Sequence, residues 1–262
     1  ALLKEMHAAG FEPNAATYNA LLGDALQVGD FDQAWHIVDV METTGPGIDF
    51  YTISILFKGY KGKRHSMDAA SFDRTLGLIQ TYSVKVDEVL VNVALEACVS
   101  LRDPHRLSAT LATFKQCGWT LPKQCAMHTY ATLIKAYGQT RQLDHAWKLW
   151  SEVTERKGLT PSEQLYGQMI DVLVTNNRLD DALQLFEEMK DVHGEHLDSQ
   201  GFAVAYAMII KGYAQQKECT KALQCYDQMK EHGTRLGLVV FNSLIDACSR
   251  VGDMDAAARL FR

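Results

Sequence analysis

Thr17-Tyr18-Asn19-Ala20-Leu21-Leu22, followed by Ala34, Val38 and Met41, spells out one unit of a pattern that recurs along this 262-residue chain. An aromatic residue precedes an alanine by sixteen positions five times: Tyr18 and Ala34, Tyr130 and Ala146, Tyr166 and Ala182, Tyr206 and Ala222, Phe241 and Ala257. Four residues past each alanine comes a bulky apolar side chain: Val38, Trp150, Phe186, Tyr226 or Phe261. Seven past it comes Met41, Val153, Met189 or Met229. Such register at a period of 35 to 40 residues predicts a solenoid, in which each unit buries its apolar face only against its neighbours.

The anchors divide the chain into repeats at 15–49, 50–87, 88–126, 127–162, 163–202 and 203–237, with partial repeats at 1–14 and 238–262. Both ends therefore read as parts of a longer array. Each unit reads as two helices. In the fourth, Tyr130, Leu133, Ile134 and Tyr137 fall at helical spacing, Gln139 to Gln142 interrupt it, and Leu143, Ala146, Trp147, Trp150 and Val153 resume it. Val28-Gly29-Asp30, Thr175-Asn176-Asn177 and Val251-Gly252-Asp253 are the helix-breaking turns. Strand-like alternation is absent, so the expected fold is an all-α solenoid.

Two units depart from the pattern. The second carries an insertion of about six residues around Lys61 to Ser66, judged by the anchor spacing. The third has Val91 and Thr110 in place of the aromatic–alanine pair, and its exit from Leu121 to Ala126 is lengthened. The fifth also has a long exit, from Asp191 to Phe202.

A hydrophobic content of 47% is enough for a continuous core, and a net charge of −6 argues against a chain-wide basic nucleic-acid footprint while leaving a local one open. The six cysteines form no CxxC pair and no zinc-ligand spacing, which favours reduced thiols. Cys98 and Cys248 share a helical position, as small core residues do. No apolar run has membrane-spanning length. His193-Gly194-Glu195-His196 lacks further ligands at metal-site spacing, and no phosphate-binding glycine loop, HExxH or nucleophile elbow occurs. No cofactor, metal site or catalytic activity is expected of this segment.

Which helical repeat this is turns on the eighth position. Tetratricopeptide units need a small residue there, whereas this chain has Leu22, Phe57, Leu95, Ile134, Ile170, Ile210 and Ile245. Tyr-x-x-Leu/Met-Ile with the later Ala-x-x-x-Phe-x-x-Met resembles the pentatricopeptide repeat family instead, over the whole chain. The fullest matches are 15–49 and Val239-Val240-Phe241-Asn242-Ser243-Leu244-Ile245. The resemblance implies a right-handed superhelix whose first helices line a groove for single-stranded RNA, one base to a repeat.

In that family the fifth and last residues of a repeat meet the base edge, and the second packs between bases. An amide or hydroxyl can donate or accept at such an edge, with a carboxylate to orient it. The resemblance then implies uracil for Asn19 with Asp49, and guanine for Ser54 with Asp87. Asn92 points to a pyrimidine without a clear partner, and the partner of Asn242 would lie beyond residue 262. Val89, Val204 and Val239 suit the packing position, while Ala16, Tyr51, His128 and Gln164 depart from it. The fifth positions Ala131, Gly167 and Ala207 carry no hydrogen-bonding group, and the repeat ends Ser162 and Gly237 supply no acid.

The thirteenth position, often lysine in the family, holds Gln27, Gly62, Ser100, Gln139, Thr175 and Gln215, and only Arg250 is basic. One turn past the reading position the charges alternate: Lys58, Glu96, Lys135, Asp171, Lys211, Asp246. Lys58, Lys135, Lys211 and Arg250 are the candidate phosphate contacts of a nearly neutral groove. Asp49 and Asp87 read equally well as helix N-caps, Lys61, Lys63 and Arg64 as a solvated turn, and the repeat tyrosines as core.

Two functions remain. One is an RNA-binding array in a mitochondrial or plastid RNA maturation, stability or translation factor, preferring a motif that begins U then G. Asn19→Ala is then expected to relax the first preference and leave the fold largely intact. The other is a protein–protein scaffold whose groove holds a peptide or partner helix.

Overall fold

A computed structural model describes residues 5, 6, 8–61, 68–120, 126–155, 160–194, 199–234 and 237–252. Among them are thirteen α-helices of nine residues or more and no strand. They form two compact units, 1–125 and 126–262. In the first unit, α1 (Ala15–Val28), α3 (Phe50–Lys58) and α5 (Glu88–Leu101) are the first helices of their repeats. Each pairs with a second helix: α2 (Phe31–Thr43), α4 (Ala69–Thr81) and α6 (Pro104–Gln116). In the second unit, α7 (Met127–Gln139), α9 (Glu163–Thr175), α11 (Gln200–Gln215) and α13 (Leu238–Val251) are first helices. The second helices are α8 (Leu143–Thr154), α10 (Leu179–His193) and α12 (Cys219–Glu231).

Within each unit the first helices pack in a row, α1 on α3 on α5 and α7 on α9 on α11 on α13, each also against its own partner where that partner is described. This is helical-repeat stacking: an all-α solenoid.

The periodic aromatic and alanine explain the stacking. Tyr130, Tyr166 and Tyr206 are buried in the first helices, and Ala146, Ala182 and Ala222 are fully buried in the second. In three repeats the bulky residue four past the alanine reaches the tyrosine or phenylalanine of the following repeat. Trp150 meets Tyr166 edge-on at 5.0 Å, Phe186 meets Tyr206 at 4.8 Å, and Tyr226 meets Phe241 at 6.0 Å. Each such pair adds about 1 kcal/mol beyond its buried area. Alanine is required on the facing helix because a larger side chain would hold the two helices apart. Ala257 and Phe261 lie outside the described residues.

The tyrosine hydroxyls are satisfied from the second helices. Tyr130 and Tyr166 donate to Glu152 and Glu188 at 3.1 and 2.8 Å, and the Tyr206 hydroxyl lies 2.8 Å from His232 Nδ1. Burial pushes the Tyr206 hydroxyl up to about 12. These rings belong to the core. The third repeat keeps the same slots with other residues. Val91 and Thr110 are fully buried, and the Thr110 hydroxyl donates to Arg106 O at 2.7 Å.

Turn chemistry sets the helix ends. Gly29 ends α1 in the left-handed region at φ 85°, where glycine carries no Cβ penalty. Asp30, Asp49, Asp68, Asp87 and Asp103 each cap a helix with a carboxylate oxygen. Asn176, after α9, donates to Gly138 O at 2.9 Å and so ties two adjacent repeats together. One boundary differs from expectation: α11 starts at Gln200, three residues ahead of Ala203. Ser199 accepts from Phe202 N at 3.3 Å and caps the helix a turn early.

Cys98, Cys219, Cys225 and Cys248 are buried, with the sulfurs of Cys219 and Cys248 3.1 Å apart between α12 and α13. No helix among the described residues is long and apolar enough to cross a membrane.

Candidate nucleic-acid interface

In the first two full repeats the second, fifth and last positions lie on or at the start of the first helices, because the last residues Asp49 and Asp87 cap the helices that follow. Asp49 is the N-cap of α3. It accepts from Thr52 N at 2.8 Å, and the Thr52 hydroxyl closes a capping box. Across the repeat boundary, Asn19 Nδ2 donates to Asp49 Oδ1 at 3.2 Å. Thr52 Oγ1 lies 2.8 Å from both Asn19 Oδ1 and Asp49 Oδ1 and can donate to either. Burial raises the Asp49 pKa, but hydrogen bonds from Thr52, Asn19 and the Tyr51 backbone outweigh it, holding the carboxyl below its ordinary 3.8. The cap and the reading pair are therefore one network. Thr52, which sequence reasoning overlooked, is its hinge; the Asp-x-x-Thr spacing was the available signal.

Ala16, Asn19, Asp49 and Tyr51, which are two second positions, one fifth and one last, line a single open depression of 660 Å³. Asn19 is only 8% exposed, yet its amide retains one N–H and one acceptor lone pair for a ligand. The second pair is arranged differently. Ser54 is buried on α3 and its hydroxyl has no hydrogen-bond partner, while Asp87 is exposed and caps Leu90 N at 2.8 Å. No hydrogen bond joins the two. Asn92 is half-buried on α5, and the exit after its repeat, residues 121–125, lies outside the described residues. Asn242 is exposed on α13.

In the second unit the same positions again line depressions. Gln164, Gly167 and Val204 border one of 310 Å³ between α9 and α11. Val204, Ala207, Gly237 and Val239 border one of 270 Å³ between α11 and α13. Ala131 is half-buried on α7. Second-position side chains are exposed apolar surface: Tyr51 at 68%, Val89 at 58%, Val204 at 41% and Val239 at 54%. His128 and Gln164 are exposed as well.

The basic candidates divide into two kinds. Lys211 lies 3.7 Å from Asp171 on the neighbouring first helix, and Arg250 pairs with Asp246 at 2.8 Å one turn back. Lys58 is exposed and Lys135 half-exposed, and neither forms an ion pair among the described residues. The alternating charges of the sequence thus become cross-repeat neutralisation at Lys211. Lys63 and Arg64 lie outside the described residues, as does His196, while His193 Nε2 sits 2.8 Å from Pro161 O. No group of three His, Cys, Asp or Glu among the described residues could hold a metal ion.

Residues 13–62 match the PPR repeat family, 128–157 the PPR repeat, and 151–262 a family described as pentatricopeptide repeat-containing protein. The chain is 22% identical over 132 residues to the small ribosomal subunit protein mL103 of Arabidopsis thaliana, a match covering 50% of this chain and 31% of that protein. A chloroplastic pentatricopeptide repeat-containing protein of the same plant is 25% identical over 209 residues, covering 78% and 25%. The mitochondrial 15S rRNA processing factor CCM1 of Yarrowia lipolytica is 27% identical over 127 residues, covering 47% and 16%. The chain thus spans less than a third of the length of these relatives. Among solved structures, maize PPR10 superimposes with a TM-score of 0.72 at 21% identity, over 98% of this chain and 34% of that one. PPR10 in complex with an 18-nt psaJ RNA element gives 0.60 at 19% identity, over 98% and 41%. At these identities the likeness is one of fold.

Proposed function

Since the chain belongs to the pentatricopeptide repeat family, we propose that it is the single-stranded RNA-binding module of an organellar RNA processing, stability or translation factor. It acts by binding rather than by catalysis, in the mitochondrion or the plastid, each repeat meeting about one base. The observation that carries this reading is the first depression: Asn19 and Asp49, joined at 3.2 Å, open between the second-position residues Ala16 and Tyr51. A base lying there would have an apolar wall on two sides and an amide at its edge. The relatives' names support the setting, since they include a mitochondrial 15S rRNA processing factor, a chloroplastic pentatricopeptide repeat-containing protein and a small ribosomal subunit protein.

Selection from randomised RNA tests this reading. A motif beginning U then G is expected, with weaker discrimination at the bases met by Ala131 and Ala207. Enrichment no better than a scrambled pool would end it. Asn19→Ala is expected to relax the first preference. Because Asn19 also bonds Asp49 and sits against the Thr52 hydroxyl, the substitution should cost about 1 kcal/mol in thermal denaturation as well.

A second reading, a scaffold for a peptide or partner helix, is favoured by the neutralised Lys211–Asp171 pair and the apolar Val204 and Val239. Crosslinking the full-length protein in cells and sequencing any attached RNA separates the two.

A further inference from the structure

The depression between α9 and α11 is built unlike its neighbours. Its floor is Gly167, where the reading side chain would stand. Its rim is raised by the extra turn of α11, which exists because Ser199 caps that helix early and donates its hydroxyl to Glu163. Gly201 lets this turn seat, since a Cβ there would fall 2.5 Å from Glu163 Cβ. The turn carries Gln200 to the rim, opposite Gln164 and Gln168 on α9. None of these three amides makes a hydrogen bond among the described residues, and each offers a donor beside an acceptor. Glu163 and Asp171 line the same space.

We propose that this depression takes one RNA base bearing an exocyclic amino group, a purine ahead of cytosine and uracil last, read by Gln168 and Gln200 in place of the missing fifth-position side chain. The inference rests on the RNA-binding reading above. A glutamine amide pairs its carbonyl with the N6 amino group of adenine and its N–H with a ring nitrogen. The carboxylates of Glu163 and Asp171 add acceptors, which suit the amino group of adenine, guanine or cytosine and find none on uracil. Gly167 leaves depth for the larger purine. An apolar peptide side chain fits poorly, because it would bury amides without partners. The depression between α11 and α13 shares Gln200, Val204 and Met208 with this one but adds only Ala203, Ala207, Gly237, Val239 and Val240, so Gln200 is its one amide and no carboxylate lines it.

The test uses the full 262-residue chain and short RNA oligonucleotides that differ only at the fifth base, counted from the one met by Asn19. Adenine is expected to bind roughly fivefold or more tightly than uracil. The double variant Gln168→Ala, Gln200→Ala should level the four bases to within about twofold, with its melting temperature and its preference at the first two bases unchanged. Selective binding at the first two bases with an indifferent fifth overturns this inference alone. So does a double variant that keeps its adenine preference, or one that loses a protein partner while its RNA profile is unaltered. A chain that binds no RNA selectively overturns the RNA-binding reading and this inference together.

Discussion

At the scale of single residues, one side chain ties a helix cap to a proposed recognition position. Asp49 ends a repeat, caps the next helix and orients Asn19, so its ionised form is favoured in the fold. The same holds for two other caps. Hydrogen bonds from Ser71 lower the Asp68 carboxyl, and at Asp103 a raising effect of burial is outweighed by bonds from Arg106 and His105. A carboxyl lowered in the folded state contributes stability above its unfolded value of 3.8, lost as pH falls through the folded value. The melting temperature is therefore expected to drop below pH 3.8. Asp49→Asn keeps a capping side chain and removes one titrating group, so it should flatten part of that drop in circular-dichroism melts at pH 6 and pH 3. An unchanged acid limb would remove Asp49 from the account.

At the scale of elements, glycines mark two different distances between first helices. A Cβ on Gly138 would lie 2.4 Å from Val172 Cγ2, so α7 and α9 meet there without room for a methyl group. At Gly167 the nearest neighbour of a Cβ is Val204 Cγ1, at an ordinary 3.6 Å. Gly138→Ala should therefore destabilise by about 1–3 kcal/mol through overpacking. Gly167→Ala should be neutral or stabilise by up to about 1 kcal/mol through helix propensity. Urea unfolding of the two variants checks the contrast, and equal effects would contradict it. Both residues are glycines inside helices in the sequence, and only the distances tell them apart. The helix starts were more legible. Six of the seven first helices begin where the anchors put them, and α11 begins early because Ser199 supplies a cap that the aromatic–alanine spacing does not encode.

At the scale of the whole molecule, electrostatics is the weak side of nucleic-acid binding. The chain carries −6 overall, Lys211 and Arg250 are paired with aspartates, and the proposed RNA-binding reading leaves Lys58 and Lys135 as its candidate phosphate contacts. Two phosphates neutralised on a single strand correspond to a slope of roughly −1.4 in log affinity against log salt. RNA titrations between 50 and 200 mM salt should therefore be shallow, and a slope steeper than about −4 would show a basic surface of another kind. Affinity would then rest on stacking against second-position side chains and on edge contacts, both insensitive to salt.

The order of residues along the chain was enough to determine the repeating helical pair, the core positions and the family, because packing of each unit on the next imposes a period that survives in the sequence. It was also enough to align Asn19 with Asp49 and Ser54 with Asp87. What only the tertiary structure decided is which of those alignments becomes a contact. Asn19 bonds Asp49 whereas Ser54 does not bond Asp87, Lys211 spends its charge on Asp171, and an early cap turns the empty position at Gly167 into a slot rimmed by glutamines. The physical reason is range. Periodic burial is a sum over many residues and shows in their order, while a hydrogen bond depends on placement to within an ångström, which the neighbouring helix sets.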